Sequence, residues 1–79
     1  MAAKAFILIE TAVGKTHEVL AALQKVPGVK SADPVTGPYD LIVVAEGADL
    51  NAIGNMVAGK IHPITGITRT VTCLTVKLA

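Results

Sequence analysis

Residues 4–11, KAFILIET, are apolar in both alternating sets: Ala5, Ile7 and Ile9 in one, Phe6 and Leu8 in the other. Successive side chains of a strand point to opposite faces, so the pattern predicts a central strand covered on both sides. The period then changes. From Gly14 to Val26, the residues Thr16, Val19, Leu20, Leu23 and Val26 recur at helical spacing and stop at Pro27-Gly28, which predicts one amphipathic helix. Residues 29–37, VKSADPVTG, are weakly strand-like, and Pro34, which has no N–H to give to a ladder, assigns them to a sheet edge. Gly37-Pro38 supplies turn chemistry, after which Tyr39, Leu41, Val43 and Ala45 alternate with Asp40, Ile42, Val44 and Glu46. These two segments read as a hairpin.

Asp49 is placed to cap a second helix over residues 50–61, with Leu50, Ile53, Met56, Val57 and Ile61 on its apolar side. Gly54 and Gly59 each weaken that helix by about 1 kcal/mol relative to Ala. Residues 67–78, ITRTVTCLTVKL, have the β-branched character of a last strand. The order β-α-β-β-α-β predicts an α+β fold, the ferredoxin-like sandwich in which two helices cover one face of a four-stranded antiparallel sheet. Its other face, around Phe6, Leu8, Ile42 and Val44, is apolar too. It is expected to pack on the sheet of an identical subunit by two-fold symmetry, giving a dimeric α/β barrel.

Composition strengthens that expectation. A chain of 79 residues makes one domain, residues 1–79, without repeats, low-complexity tracts or a linker. A domain of this size buries only about 60% of the surface of its unfolded chain. Yet 52% of the residues are hydrophobic and 16% are charged, against about 25% charged in an average domain, so apolar surface is left for a second chain. The formal charge of +1, without a run of Lys or Arg, argues against direct nucleic-acid binding. No segment approaches the ~20 apolar residues that cross a bilayer, and the single Cys73 reads as a reduced, buried thiol. A soluble, cytoplasmic protein is expected.

Few residues suggest chemistry. Gly14-Lys15-Thr16 lies between a strand and a helix, but Ile9 occupies the first glycine position of a phosphate-binding loop, so it reads as helix initiation. His17 and His62 have no partner at metal-ligand spacing, and His62, before Pro63, reads as a helix end bonding terminal carbonyls. Neither a metal nor a cofactor is expected. Glu18, Lys25, Lys30 and Lys60 read as solvated surface charges. Asp40, at the head of an apolar run, either bonds backbone amides to fix the hairpin or meets a ligand. Thr68, Thr70 and Thr72 fall on one face of the last strand, where hydroxyls pair with one another or bind something polar.

The stretches VPGV (residues 26–29), VTGPYDLIVVAEGADLNAI (35–53) and ITGITRTVTCLTVKL (64–78) together resemble the effector-binding, or RAM, domain of the Lrp/AsnC family of feast/famine transcriptional regulators. The resemblance covers essentially the whole chain. It implies sheet-to-sheet dimers assembled into rings, commonly of eight subunits, and a free amino acid as effector. The site residues it implies are Gly37, Tyr39 and Asp40 with Thr70 and Thr72, near a junction between dimers. Asp40 and the threonine hydroxyls suit an ammonium group, and amides at the glycine turn suit a carboxylate. Full members of the family carry a helix-turn-helix before this domain, whereas Met1 here lies a few residues from the first strand. Direct operator binding is therefore not expected; a domain of this kind is expected to sense amino acids by itself or to co-assemble with a full-length regulator. The chain is expected not to be an enzyme; the alternatives are a small dimeric α/β-barrel monooxygenase or isomerase, or a purely structural assembly subunit.

Overall fold

The computed structural model describes residues 2–76. The two apolar sets of the first segment separate onto the two faces of its strand: Ala5, Ile7 and Ile9 are fully buried, while Phe6 is 38% exposed. That strand, β1 (Ala3–Thr11), is followed by α1 (Thr16–Leu23), β2 (Val29–Pro34), β3 (Leu41–Gly47), α2 (Leu50–Met56) and β4 (Ile67–Leu74). Between α2 and β4 the helix widens into one π-helical turn, Val57–Ile61, closed by the His62 N–H donating to the Val57 carbonyl at 2.8 Å. The chain thus has the βαββαβ order of the ferredoxin-like fold.

The sheet runs β2-β3-β1-β4 with every neighbouring pair antiparallel. Pro34 lies on an edge strand, where its missing N–H leaves no gap in the ladder. Ala5, Ile7 and Ile9 of β1 and Leu41, Val43 and Ala45 of β3 form the floor of the core. Val19 and Leu23 of α1, Ile53 and Met56 of α2, and Val57 and Ile61 of the π turn close it from above. Asp49 caps α2 by accepting the Ala52 N–H at 2.8 Å, which satisfies one of the free donors of the first turn.

The face away from the helices keeps its apolar centre. Phe6 pairs with Val44 and Cys73, and Leu8 with Ile42 and Val71, so these side chains alternate outward beside one another. Charged residues flank them, with Lys4 opposite Glu46 at one end and Glu10 opposite Arg69 at the other.

Four local expectations are corrected. The first helix ends at Leu23 rather than Val26, although Val26 still packs against the core. Leu50 does not join the buried stripe of α2 and is 61% exposed, because it opens the helix at its outer rim. Cys73 is exposed in the single chain, since it alternates onto the uncovered face. Asp40 precedes β3 instead of lying within it. Residues 77 and 78 of the predicted last strand lie outside the described residues.

Candidate functional site

The connection between β2 and β3 carries Gly37, Pro38, Tyr39 and Asp40. Gly37 has φ +125°, and a Cβ there would meet nothing, so backbone conformation, not crowding, accounts for glycine. Asp40 is tied into the sheet by its main chain: its N–H donates to the Ile9 carbonyl and its carbonyl accepts from the Val35 N–H, both at 2.9 Å. Its side chain extends the ladder one step further. Oδ2 accepts the Thr11 N–H at 2.8 Å and the Thr11 hydroxyl at 3.2 Å. The Thr11 hydroxyl also lies 2.8 Å from that of Thr16, the first residue of α1. A carboxylate at this point thus supplies an acceptor for the end of β1, just where the pairing of β1 with β4 shifts register. Both hydrogen bonds that reach the carboxylate from described residues go to the one oxygen.

Thr70 and Thr72 lie on the other side of β1. They pair with Ile9 and Ile7, whose side chains face the helices, so both hydroxyls are on the helix side of β4. The Thr70 Oγ1 is 2.9 Å from the Nε2 of His62, which ends the π turn. Beside this pair is an open cavity of about 220 Å³. Leu50, Ile53, Gly54, Val57, Ala58 and His62 line it from the helical side, with Thr72 and Leu74 from β4.

Ile9 pairs with Leu41 on one side and with Thr70 on the other, so the two halves of the expected site flank β1. Two strand spacings, about 10 Å, separate them. Thr70 and Thr72 share a face, as expected; Gly37, Tyr39 and Asp40 lie in the connection before β3, across β1 from them. Thr68 leaves the group as well, because the register shift removes it from regular pairing and its hydroxyl is shared between the carbonyl and carboxylate of Glu10, at 3.1 and 3.0 Å. His62 was not recognisable from the sequence as part of the site. The dipeptide His62-Pro63 reads locally as a helix end, and only the π turn and the β4 register bring the ring to Thr70 rather than to terminal carbonyls. Among the described residues, no group of three or more His, Cys, Asp or Glu side chains could hold a metal ion, and no helix is long and apolar enough to cross a membrane.

The family model of the Lrp/AsnC ligand binding domain matches residues 4–78. The chain belongs to this family. Its curated relatives include an HTH-type transcriptional regulator of Pyrococcus furiosus, 34% identical over 71 residues, which are 86% of this chain and 47% of the regulator. A homocitrate synthase of Sulfurisphaera tokodaii is 34% identical over 62 residues, 78% of this chain and 13% of the synthase. The Lrp/AsnC domain described here therefore spans about half or less of the length of these two relatives. Among solved structures, a hypothetical protein from Pyrococcus horikoshii is 38% identical with a TM-score of 0.88, over 99% of this chain and 93% of that one. A transcriptional regulator from Neisseria meningitidis, solved as a complex with L-Met, is 25% identical with a TM-score of 0.85, over 95% of this chain and 50% of that one.

Proposed function

We propose that this Lrp/AsnC domain senses a free amino acid, and that it does so as an oligomer whose binding sites are completed between subunits. The observation that carries the reading is the placement of Thr72 on the wall of an apolar cavity, with Thr70 bonded to its His62 and the glycine turn and Asp40 on the far side of β1. An amino acid has a carboxylate and an ammonium close together and a side chain apart from them. Thr70, Thr72 and the cavity of one subunit, with Gly37, Tyr39 and Asp40 of another, offer a complementary set: amides and hydroxyls for the charged groups and apolar walls for the side chain. The L-Met complex of the Neisseria relative supports this ligand class.

Subunits come together first through the open sheet. Phe6, Leu8, Ile42, Val44 and Val71 make an apolar centre with charges at its ends, the anatomy of an interface, and a two-fold axis through it forms the dimeric α/β barrel. Dimers then assemble into a ring, of eight subunits on the family pattern. In this reading the domain acts in the cytoplasm without contacting DNA itself, and it influences transcription by co-assembling with a full-length regulator.

The way the segment is shared supports a non-catalytic role. The same stretch matches part of a synthase and part of a DNA-binding regulator, two proteins with different named activities. A ligand-binding role for the shared segment is compatible with both. Thermal unfolding with each of the standard L-amino acids tests the proposal. A ligand that binds only the folded state at about 100 times its Kd adds about 2.7 kcal/mol, a shift of roughly 10–20 °C, for a small subset of the panel. No shift with any amino acid rejects the sensor in favour of a structural subunit.

A further inference from the structure

We infer that His62 is a positioning residue for the effector: it takes the hydrogen of the Thr70 hydroxyl and turns that oxygen's lone pairs toward an ammonium group. Binding then weakens when the ring gains a proton. The inference rests on the amino-acid-sensing reading and adds a residue and a pH response to it. His62 Nε2 lies 2.9 Å from Thr70 Oγ1, and among the described residues that hydroxyl bonds to no other group. A hydroxyl has one hydrogen and two lone pairs, and a neutral imidazole protonated at Nδ1 has one acceptor, at Nε2. Thr70 gives its hydrogen to the ring and keeps only acceptor capacity, which suits an ammonium and not a carboxylate. Thr68, on the same strand, is committed elsewhere, since Glu10 takes its hydrogen.

Local preference does not explain where the ring is. The residue before a proline generally leaves the helical region, yet His62, before Pro63, stays in it at φ −54° and ψ −38°. The π turn holds it there through the bond from the His62 N–H to the Val57 carbonyl, and π turns are rare and concentrate at functional sites.

The surroundings of the ring offer no counter-charge. Thr72 of β4 and Ile53, Val57 and Ala58 of α2 and the π turn share its cavity, and no carboxylate is among the lining residues. Lys60 is on the π turn itself. Arg69 pairs with Glu10 on the opposite face of the sheet, and Lys15 of the β1–α1 connection, near Gly66, is bridged to Glu18 at 3.5 Å. Imidazole is the side chain that ordinarily changes charge between about pH 5 and 8. Once protonated, Nε2 donates instead of accepting, so a lone pair of Thr70 is taken and a positive charge stands beside the ammonium. Both effects weaken binding.

Calorimetric titration of the full chain with each standard L-amino acid at about pH 8, repeated at about pH 5.5 with those that bind, tests this. His62→Gln, His62→Ala and His17→Asn are titrated alongside, with melting temperatures recorded. The native chain is expected to bind about tenfold more weakly at the lower pH, and His17→Asn to do the same. His62→Gln keeps an acceptor for Thr70 and gains no charge, so it should match the native affinity at the higher pH and hold it on acidification. His62→Ala should bind about tenfold more weakly than the native chain at the higher pH. Thr70→Val, which removes the hydroxyl the ring acts on, takes over if neither His62 variant folds, and its affinity should not respond to pH. Tighter native binding on acidification, a native pH response in His62→Gln or Thr70→Val, or native affinity in His62→Ala overturns the inference and leaves the sensor intact. Absence of binding by any amino acid at either pH overturns both.

Discussion

Thr11 and Asp40, 29 positions apart in the chain, are joined through a single carboxylate oxygen that accepts both the backbone N–H and the hydroxyl of the threonine. The contact closes the end of β1 against the start of β3, and the hydroxyl of Thr16 continues it to α1. Asp40 therefore has a structural task within one chain, whatever it does for a ligand between chains.

Replacing Asp40 separates the two tasks. Asp40→Ala removes a charge-assisted acceptor and leaves the Thr11 N–H without its partner, a loss of about 1.5–3 kcal/mol. At roughly 4–8 °C per kcal/mol for a domain of this size, its melting temperature should fall by about 6–24 °C. Asp40→Asn keeps a carbonyl oxygen for Thr11 but not the charge. It should stay assembled and nearly as stable, yet bind its amino acid about ten- to a hundred-fold more weakly. Equal affinity with a sharp loss of stability would leave Asp40 a purely structural residue.

Leu8→Asp tests the open sheet. Leu8 lies between Ile42 and Val71 on the face away from the helices, at the centre of the proposed dimer contact. An unpaired carboxylate buried there costs several kcal/mol, so light scattering should show dissociation, with folding lost at the same time. A native-like mass for the variant, or a folded monomer of the unsubstituted chain at micromolar concentration, would remove the sheet-to-sheet dimer.

Gly66→Ala should destabilise without touching the ligand. Gly66 has φ +104°, and a Cβ there would lie 2.9 Å from Val19 and 3.0 Å from Lys15, so strain and crowding act together. A loss of about 1–3 kcal/mol is expected in denaturant unfolding, with amino-acid affinity unchanged in the folded fraction.

Asp49→Ala removes the cap of α2, whose carboxylate holds the Ala52 N–H. About 1 kcal/mol should be lost, seen as a fall of roughly 4–8 °C in melting temperature. The helix carries the cavity wall, so a larger effect on binding than on stability would mean that α2 is in equilibrium with an open state.

The element order was legible in the sequence because each segment has one period. The two apolar sets of residues 4–11 and the stripe from Thr16 to Val26 could hardly be read another way, although the helix stops at Leu23. Gly37, Tyr39, Asp40, Thr70 and Thr72 were legible as a set only through resemblance to the Lrp/AsnC family. Their division across β1 was not, since it follows from Ile9 pairing with both Leu41 and Thr70, a long-range fact of strand order. His62 was hidden for a related reason: a π turn adds a residue to the helical repeat, and no local signal announces it. Asp40 lay between two readings, hairpin carboxylate and ligand contact. Its bonds to Thr11 give weight to the first without using its second oxygen.

Titration calorimetry with the full set of L-amino acids at physiological salt bears most directly on the sensor role. Saturable binding of at least one of them is predicted, at one site per chain and weakened in Asp40→Asn and Thr72→Val without a change in solution mass. Absence of heat and of any thermal shift across the whole set would contradict it.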